Sequence, residues 1–182
     1  MKLTKLESLC SDLAKAYHQD SKLYGGLPYY THCEAVARLA KSKGCEEDIV
    51  SACFLHDTIE DTAATSNSLA VGGVPPEVIA LVELVTDPPS GNRKEKKTVF
   101  YSRLRQLGDT QLRQKAIIVK LCDRIINTMQ CIISNPRLLE MYEQEYPEFE
   151  KKLNYGVEDN WKHSDLDLIE LNLWAKLGFL HK

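Results

Sequence analysis

The sequence predicts an all-α protein, a bundle of helices around an apolar core. Three observations carry this. Apolar residues recur at intervals of three and four, as at Leu6, Leu9, Leu13 and Ala16, and again through "AIIVKLCDRIINTMQCII". The Val and Ile residues follow the same helical spacing and do not alternate. Turn signals do not recur at the short intervals that strands need.

The first helix spans Leu3 to Tyr17 and breaks at "SKLYGGLPYYTH", where Gly25, Gly26 and Pro28 stand. Thr31 followed by Glu34 has capping-box spacing, so the second helix starts there and runs to about Lys43, closed by Gly44. Glu46, Glu47 and Asp48 open a third, where acids suit the positive end of the helix dipole. "TSNSLAVGGVPP" reads as loop, Pro76 to Val85 as helix, and "DPPSGN" as its end. A basic loop follows, then a helix near Thr98 to Gln106 stopped by Gly108. The longest helix runs from Thr110 to about Ser134 and ends at Pro136. Two further helices occupy the acidic C-terminal part, over 137–182, with Gly156 between them.

The 182 residues are 43% apolar, enough for one domain with a sizeable core and too few for a second catalytic domain. No internal repeat or low-complexity segment is present. The net charge of −3 gives no reason to expect a nucleic-acid or membrane partner. The start, Met1-Lys2-Leu3-Thr4, has no apolar signal segment, and no apolar run would span a bilayer. The six cysteines contain no C-x-x-C pair, so they are expected to be reduced and buried, in a cytoplasmic protein. His18, His163 and His181 have no partner pattern, and Trp161 and Trp174 read as packing residues of the last helices.

One constellation points to chemistry. Lys120, Asp123, Arg124 and Asn127 share a face of the longest helix, inside an otherwise apolar run. Buried charges are costly unless paired or bound to a metal, so the stripe is an ion pair, a solvent-facing edge or a ligand set. "ACFLHDTIEDTA" adds His56 and Asp57 at the end of a buried-looking helix, and His32 lies just inside another helix start. Two His and two Asp form a mixed nitrogen and oxygen shell suited to Mn, Fe or Zn. Glu60 and Asp61 lie four residues beyond His56 and Asp57. They would serve as an acid/base pair beside water activated by a metal, or simply cap the next turn.

The order H…HD…D resembles the HD-domain superfamily of metal-dependent phosphohydrolases. "GLPYYTHCEAVA", "ACFLHDTIEDT" and "IIVKLCDRIINTM" are most similar to the hydrolase domain of the Rel/SpoT alarmone enzymes and to the single-domain small alarmone hydrolases, over roughly residues 10 to 135. The resemblance implies an all-helical HD fold with the metal site between central helices. It implies His32, His56, Asp57 and Asp123 as ligands, usually of Mn(II). Glu60 and Asp61 are implied as the catalytic pair, and Lys120, Arg124 and Asn127 as nucleotide contacts or structural support. The implied reaction removes the 3′-diphosphate of (p)ppGpp as pyrophosphate.

The chain departs from the pattern at Leu23-Tyr24, where many Rel-type members carry Arg-Lys; Lys22 stands one place earlier. Leu and Tyr do not replace that charge, although Tyr24 would stack on a base. Arg93, Lys94, Lys96 and Lys97, read as loop residues, would supply phosphate contacts instead, or be merely solvated. The competing readings are an HD-type nucleotidase acting on a nucleoside monophosphate or on NADPH, a non-catalytic nucleotide sensor, and a helical scaffold with a structural polar cluster. In the leading reading the partner is a small nucleotide substrate; oligomeric state stays open.

Overall fold

The computed structural model describes residues 2–153 and 165–181. Helix α1 (Lys5–Tyr17) opens on a capping box, in which Glu7 N–H donates to Thr4 and Thr4 N–H donates to Glu7. Glu7 is fully buried, and Lys41 Nζ meets it at 2.6 Å, so this cap also ties α1 to α2 (Tyr30–Ser42).

Helix α3 (Glu47–Leu55) is the centre. Every residue from Ile49 to Leu55 is buried. An all-round apolar helix has no face to give to water, and α3 is covered by α1, α2, α6 (Pro76–Val85) and α8 (Thr110–Ser134). Lys115 of α8 clamps the start of α3, meeting Glu46 at 2.7 Å and Asp48 at 2.6 Å. The chain turns at Asp57 into the single-turn α4 (Thr58–Asp61).

Three sequence expectations need correction. Thr31 does not cap α2. Its N–H and hydroxyl both donate to Pro28 O, at 3.0 and 2.8 Å, so the helical conformation has begun before it, and Glu34 pairs with Arg38 instead. The stretch read as loop contains α5 (Ser66–Val71), capped reciprocally by Thr65 and Ser68. With only Leu69 buried, it shows no period. The basic segment is not a loop either. Helix α7 (Arg93–Gln106) starts at Asn92, which accepts from the N–H groups of Lys94 and Glu95. Its first turns are charged on all sides, and only Phe100 and Leu104 are buried.

Pro136 ends α8 as expected and also opens α9 (Pro136–Leu153), because proline suits the first helical position. Helix α10 (Asp165–Leu180) packs on α8. Trp174 lies 5.7 Å from Phe149, and its Nε1–H donates to Glu170 at 3.1 Å. Trp161, His163 and Gly156 lie outside the described residues. Among the described residues the only strand-like pairing is an isolated bridge between Tyr24 and Leu27. All six cysteines are free and buried. No described helix is long and apolar enough to cross a membrane.

That bridge positions the site. Tyr24 and Leu27 exchange backbone hydrogen bonds of 2.8 and 3.1 Å around Gly25 and Gly26, whose φ values are 58° and 83°. Two left-handed residues in a two-residue turn call for glycine. A Cβ on Gly25 would also run into the Gln130 side chain. Gly25→Ala is expected to cost about 1–2 kcal/mol, a fall of roughly 2–8 °C in melting temperature. An unchanged thermal melt would show that the turn accepts a side chain.

Candidate active site

Four side chains converge from three helices and the joint after α3. His32 sits in the first turn of α2, His56 caps the end of α3, Asp57 follows it, and Asp123 lies in the middle of α8. His32 Nε2 is 3.2 Å from Asp123 Oδ1 and 3.6 Å from Asp57 Oδ2. His56 Nε2 is 3.0 Å from Asp57 Oδ2 and 3.6 Å from Asp123 Oδ1. Ligand atoms of His32, His56 and Asp57 all lie within 4.8 Å of one another, a group that could hold a metal ion.

The donor set fits a divalent cation. His56 Nδ1 faces Cys53 O at 2.8 Å. A carbonyl only accepts, so Nδ1 carries the proton and Nε2 is the coordinating nitrogen. Nε2 is buried with no hydrogen-bond partner, and Asp57 Oδ2, itself an acceptor, lies 3.0 Å from it. Burial alone would lower the His56 pKa; the charges of Asp57 and Asp123 outweigh it and raise it well above the usual imidazole value. Burial alone would raise both carboxyls, yet His56 and His32 hold Asp57 and Asp123 well below the usual range. Such a cluster draws in positive charge, as a proton on His56 or as a cation shared by all four groups.

Neighbouring side chains orient these carboxylates. Tyr29 Oη donates to Asp57 Oδ2 at 2.8 Å. Tyr24 Oη donates to Asn127 Oδ1 at 2.7 Å, and Asn127 Nδ2 donates in turn to Asp123 Oδ1. The Tyr24 ring also packs 4.7 Å from that of His32. Outer partners of this kind hold ligand orientation and tune basicity. Tyr24 and Tyr29 flank the Gly-Gly turn.

Glu60 and Asp61 border the cluster. Glu60 Oε2 accepts the backbone N–H of Asp87 at 3.0 Å, and Lys96 Nζ lies 3.9 Å from Oε1. Burial raises the Glu60 pKa, and burial reinforced by the charge of Asp57 raises that of Asp61. Carboxyls with raised pKa transfer protons more readily near neutral pH.

A cleft of about 260 Å³ connects these acids to a basic wall. Asp57, Glu60, Asp61 and Asp123 line it together with Arg93, Lys97, Lys120 and Arg124. A model of the HD domain matches residues 10–146.

The chain belongs to the HD-domain family.

This HD-domain chain is 34% identical over 123 residues to a Brucella melitensis protein named GTP pyrophosphokinase rsh, covering 63% of this chain and 16% of the relative. It is 34% identical over 102 residues to the Xenopus tropicalis protein named guanosine-3′,5′-bis(diphosphate) 3′-pyrophosphohydrolase MESH1, covering 55% of this chain and 54% of that one. It therefore spans about a sixth of the Brucella relative and about half of the Xenopus one. A solved structure, described as a metazoan ortholog of SpoT that hydrolyzes ppGpp and plays a role in starvation responses, superposes with a TM-score of 0.70 over 98% of both chains at 23% identity. A Listeria monocytogenes structure gives a TM-score of 0.63 at 20% identity, covering 85% of this chain and 98% of the other. These two likenesses show the helical HD fold.

Within that fold the structure brings together His32, His56, Asp57, Asp123, Glu60, Asp61, Lys120, Arg124, Asn127 and Arg93. It leaves Lys22 and Lys94 exposed and outside the cleft lining. Tyr24 does not line the cleft, and its hydroxyl is taken by Asn127. Sequence reasoning passed over Tyr29, Asp87, Tyr142, Phe149 and Glu145. Tyr29 had a signal, its place in "GLPYYTH"; the others lie in segments without a motif.

Proposed function

We propose that this HD-domain chain is a phosphohydrolase dependent on a divalent metal, Mn(II) in the leading reading, that removes the 3′-diphosphate of a (p)ppGpp-like nucleotide as pyrophosphate. The observation that carries the proposal is a cleft that brings carboxylates and cations together. Asp57 and Asp123 of the His and Asp cluster line it together with Glu60, Asp61 and the cations Arg93, Lys97, Lys120 and Arg124. The Xenopus relative, named a guanosine-3′,5′-bis(diphosphate) 3′-pyrophosphohydrolase, supports it.

His32, His56, Asp57 and Asp123 would hold the metal, with Tyr29 and Asn127 fixing the carboxylates. Bound there, a divalent cation supplies Lewis acidity toward a phosphoryl oxygen and activates water. The basic wall would draw the diphosphate in and neutralise charge on its phosphoryl oxygens as water adds. Water adds to phosphorus, the bond to the 3′-oxygen breaks, and that oxygen takes a proton. Glu60 and Asp61 divide the two proton transfers, one accepting from water and one donating to the leaving oxygen.

The nucleotidase reading keeps one supporting observation. Leu23 is exposed and Tyr24 is engaged by Asn127, so the segment that carries Arg-Lys in Rel-type relatives offers no charge to a guanine nucleotide here. A product assay with Mn(II) separates the two, using ppGpp, pppGpp, ppApp, NADPH and nucleoside monophosphates, with Asp57→Ala as control. Pyrophosphate from ppGpp is the expected result. Orthophosphate from monophosphates alone would transfer the site to a nucleotidase, and turnover of ppApp or NADPH but not ppGpp would assign specificity to Leu23-Tyr24.

A further inference from the structure

One carboxylate outside the cleft lining gathers three of the cations that line it. Arg93 makes a two-pronged contact with Glu145, Nε to Oε1 at 2.8 Å and a terminal nitrogen to Oε2 at 3.1 Å. Lys97 pairs with the same Oε2, and Arg124 approaches it at 3.2 Å. These cations come from α7 and α8, and Glu145 from α9. Arg124, 8% exposed, is further held by the rings of Tyr142 at 4.4 Å and Phe149 at 4.7 Å. Arg93 also lies over the Tyr142 ring, at 5.5 Å.

Three like charges so close repel one another and would swing into water without a counter-charge. One carboxylate behind three cations relieves that repulsion and leaves the wall positive toward the cleft. We propose that Glu145 is a positioning residue for phosphate recognition: with Tyr142 and Phe149, it fixes Arg93, Lys97 and Arg124 as a preformed wall for a diphosphate group. The inference rests on the proposed reading of this cleft as a phosphohydrolase site, and it assigns a task to α9, where the sequence shows no motif.

Lys97 supplies a distinctive signature. Burial and the neighbouring charges of Arg124 and Arg93 lower its pKa to about 8, against the opposing pull of Glu145. Removing Glu145 removes that pull, so Lys97 loses its proton at a lower pH. Where Lys97 meets phosphate, the pH dependence of phosphate binding moves with that titration; with Lys97 off the phosphate it does not.

The test compares wild type, Glu145→Gln, Glu145→Ala and Lys94→Gln as full chains. Calorimetry with inorganic pyrophosphate, and KM and kcat on whichever nucleotide is turned over, are measured from pH 6 to 9. Both Glu145 variants are expected to weaken pyrophosphate binding and raise KM about tenfold, with kcat within about twofold, the size of a lost charge-assisted contact. The loss of affinity with rising pH, near 8 in wild type, moves to lower pH in both. Lys94→Gln removes a charge from the same helix outside the cleft and should change neither. Unchanged or tighter pyrophosphate binding in Glu145→Gln would overturn the proposal, as would an unmoved pH profile. Turnover of no nucleotide, with pyrophosphate binding still weakened by both variants, would sink the hydrolase reading and leave the positioning role standing.

Discussion

Glu60→Gln is expected to keep the metal and lose turnover, with kcat falling about 10²- to 10⁴-fold, the range of a removed general acid or base. Gln preserves the shape of Glu60 and can still accept the Asp87 N–H. Glu60 makes none of the short contacts within the His and Asp cluster, so metal content should hold. What disappears is a carboxyl whose pKa burial has raised toward the working range. Metal analysis beside steady-state kinetics decides the matter. A fully active Glu60→Gln would remove Glu60 from the mechanism and leave Asp61 as the proton acceptor.

Asp123→Ala is expected to lose metal and activity together. Asp123 is the oxygen donor nearest His32, at 3.2 Å, and without it the two imidazoles face a single carboxylate. Mn(II) that binds the folded chain raises its melting temperature in proportion to the logarithm of metal concentration. Wild type should show this rise and Asp123→Ala should not, with activity down by at least about 10³-fold, an order appropriate to loss of a metal that activates the nucleophile. Asp57→Ala should behave in the same way. If Asp123→Ala keeps the metal-dependent rise and differs only in basal melting temperature, the cluster is structural and the scaffold reading prevails.

How much was legible depended on where the signal lay. The centre of the site could be read because its residues are charges in an apolar setting. His56-Asp57 closes an all-buried helix, and Asp123 interrupts "IIVKLCDRIINTM". The start of α7 was hidden because charges on all its faces mask any period, although Asn92 and Glu95 have capping-box spacing. Thr31 and Glu34 carried the same signal and formed no cap, because Pro28 O captured the threonine. Spacing names a candidate cap; the local backbone path decides whether it forms.

By itself, the sequence determined the helical class, the course of α1, α6 and α8, the family motifs, and the residues with the chemistry to hold a metal. These follow from local order: periodicity along a helix and residue types at set intervals. Only the tertiary structure decided which charges share a cleft. It placed Lys97 and Arg93 on the site and Lys94 off it, although all three are neighbours in sequence on α7. It turned Tyr24 from a free aromatic into the hydrogen-bonded support of Asn127. It brought Glu145 behind three cations from two other helices. The physical reason is that a charge acts through distance and burial, and both are set by how α7, α8 and α9 pack rather than by the residues beside it in the chain.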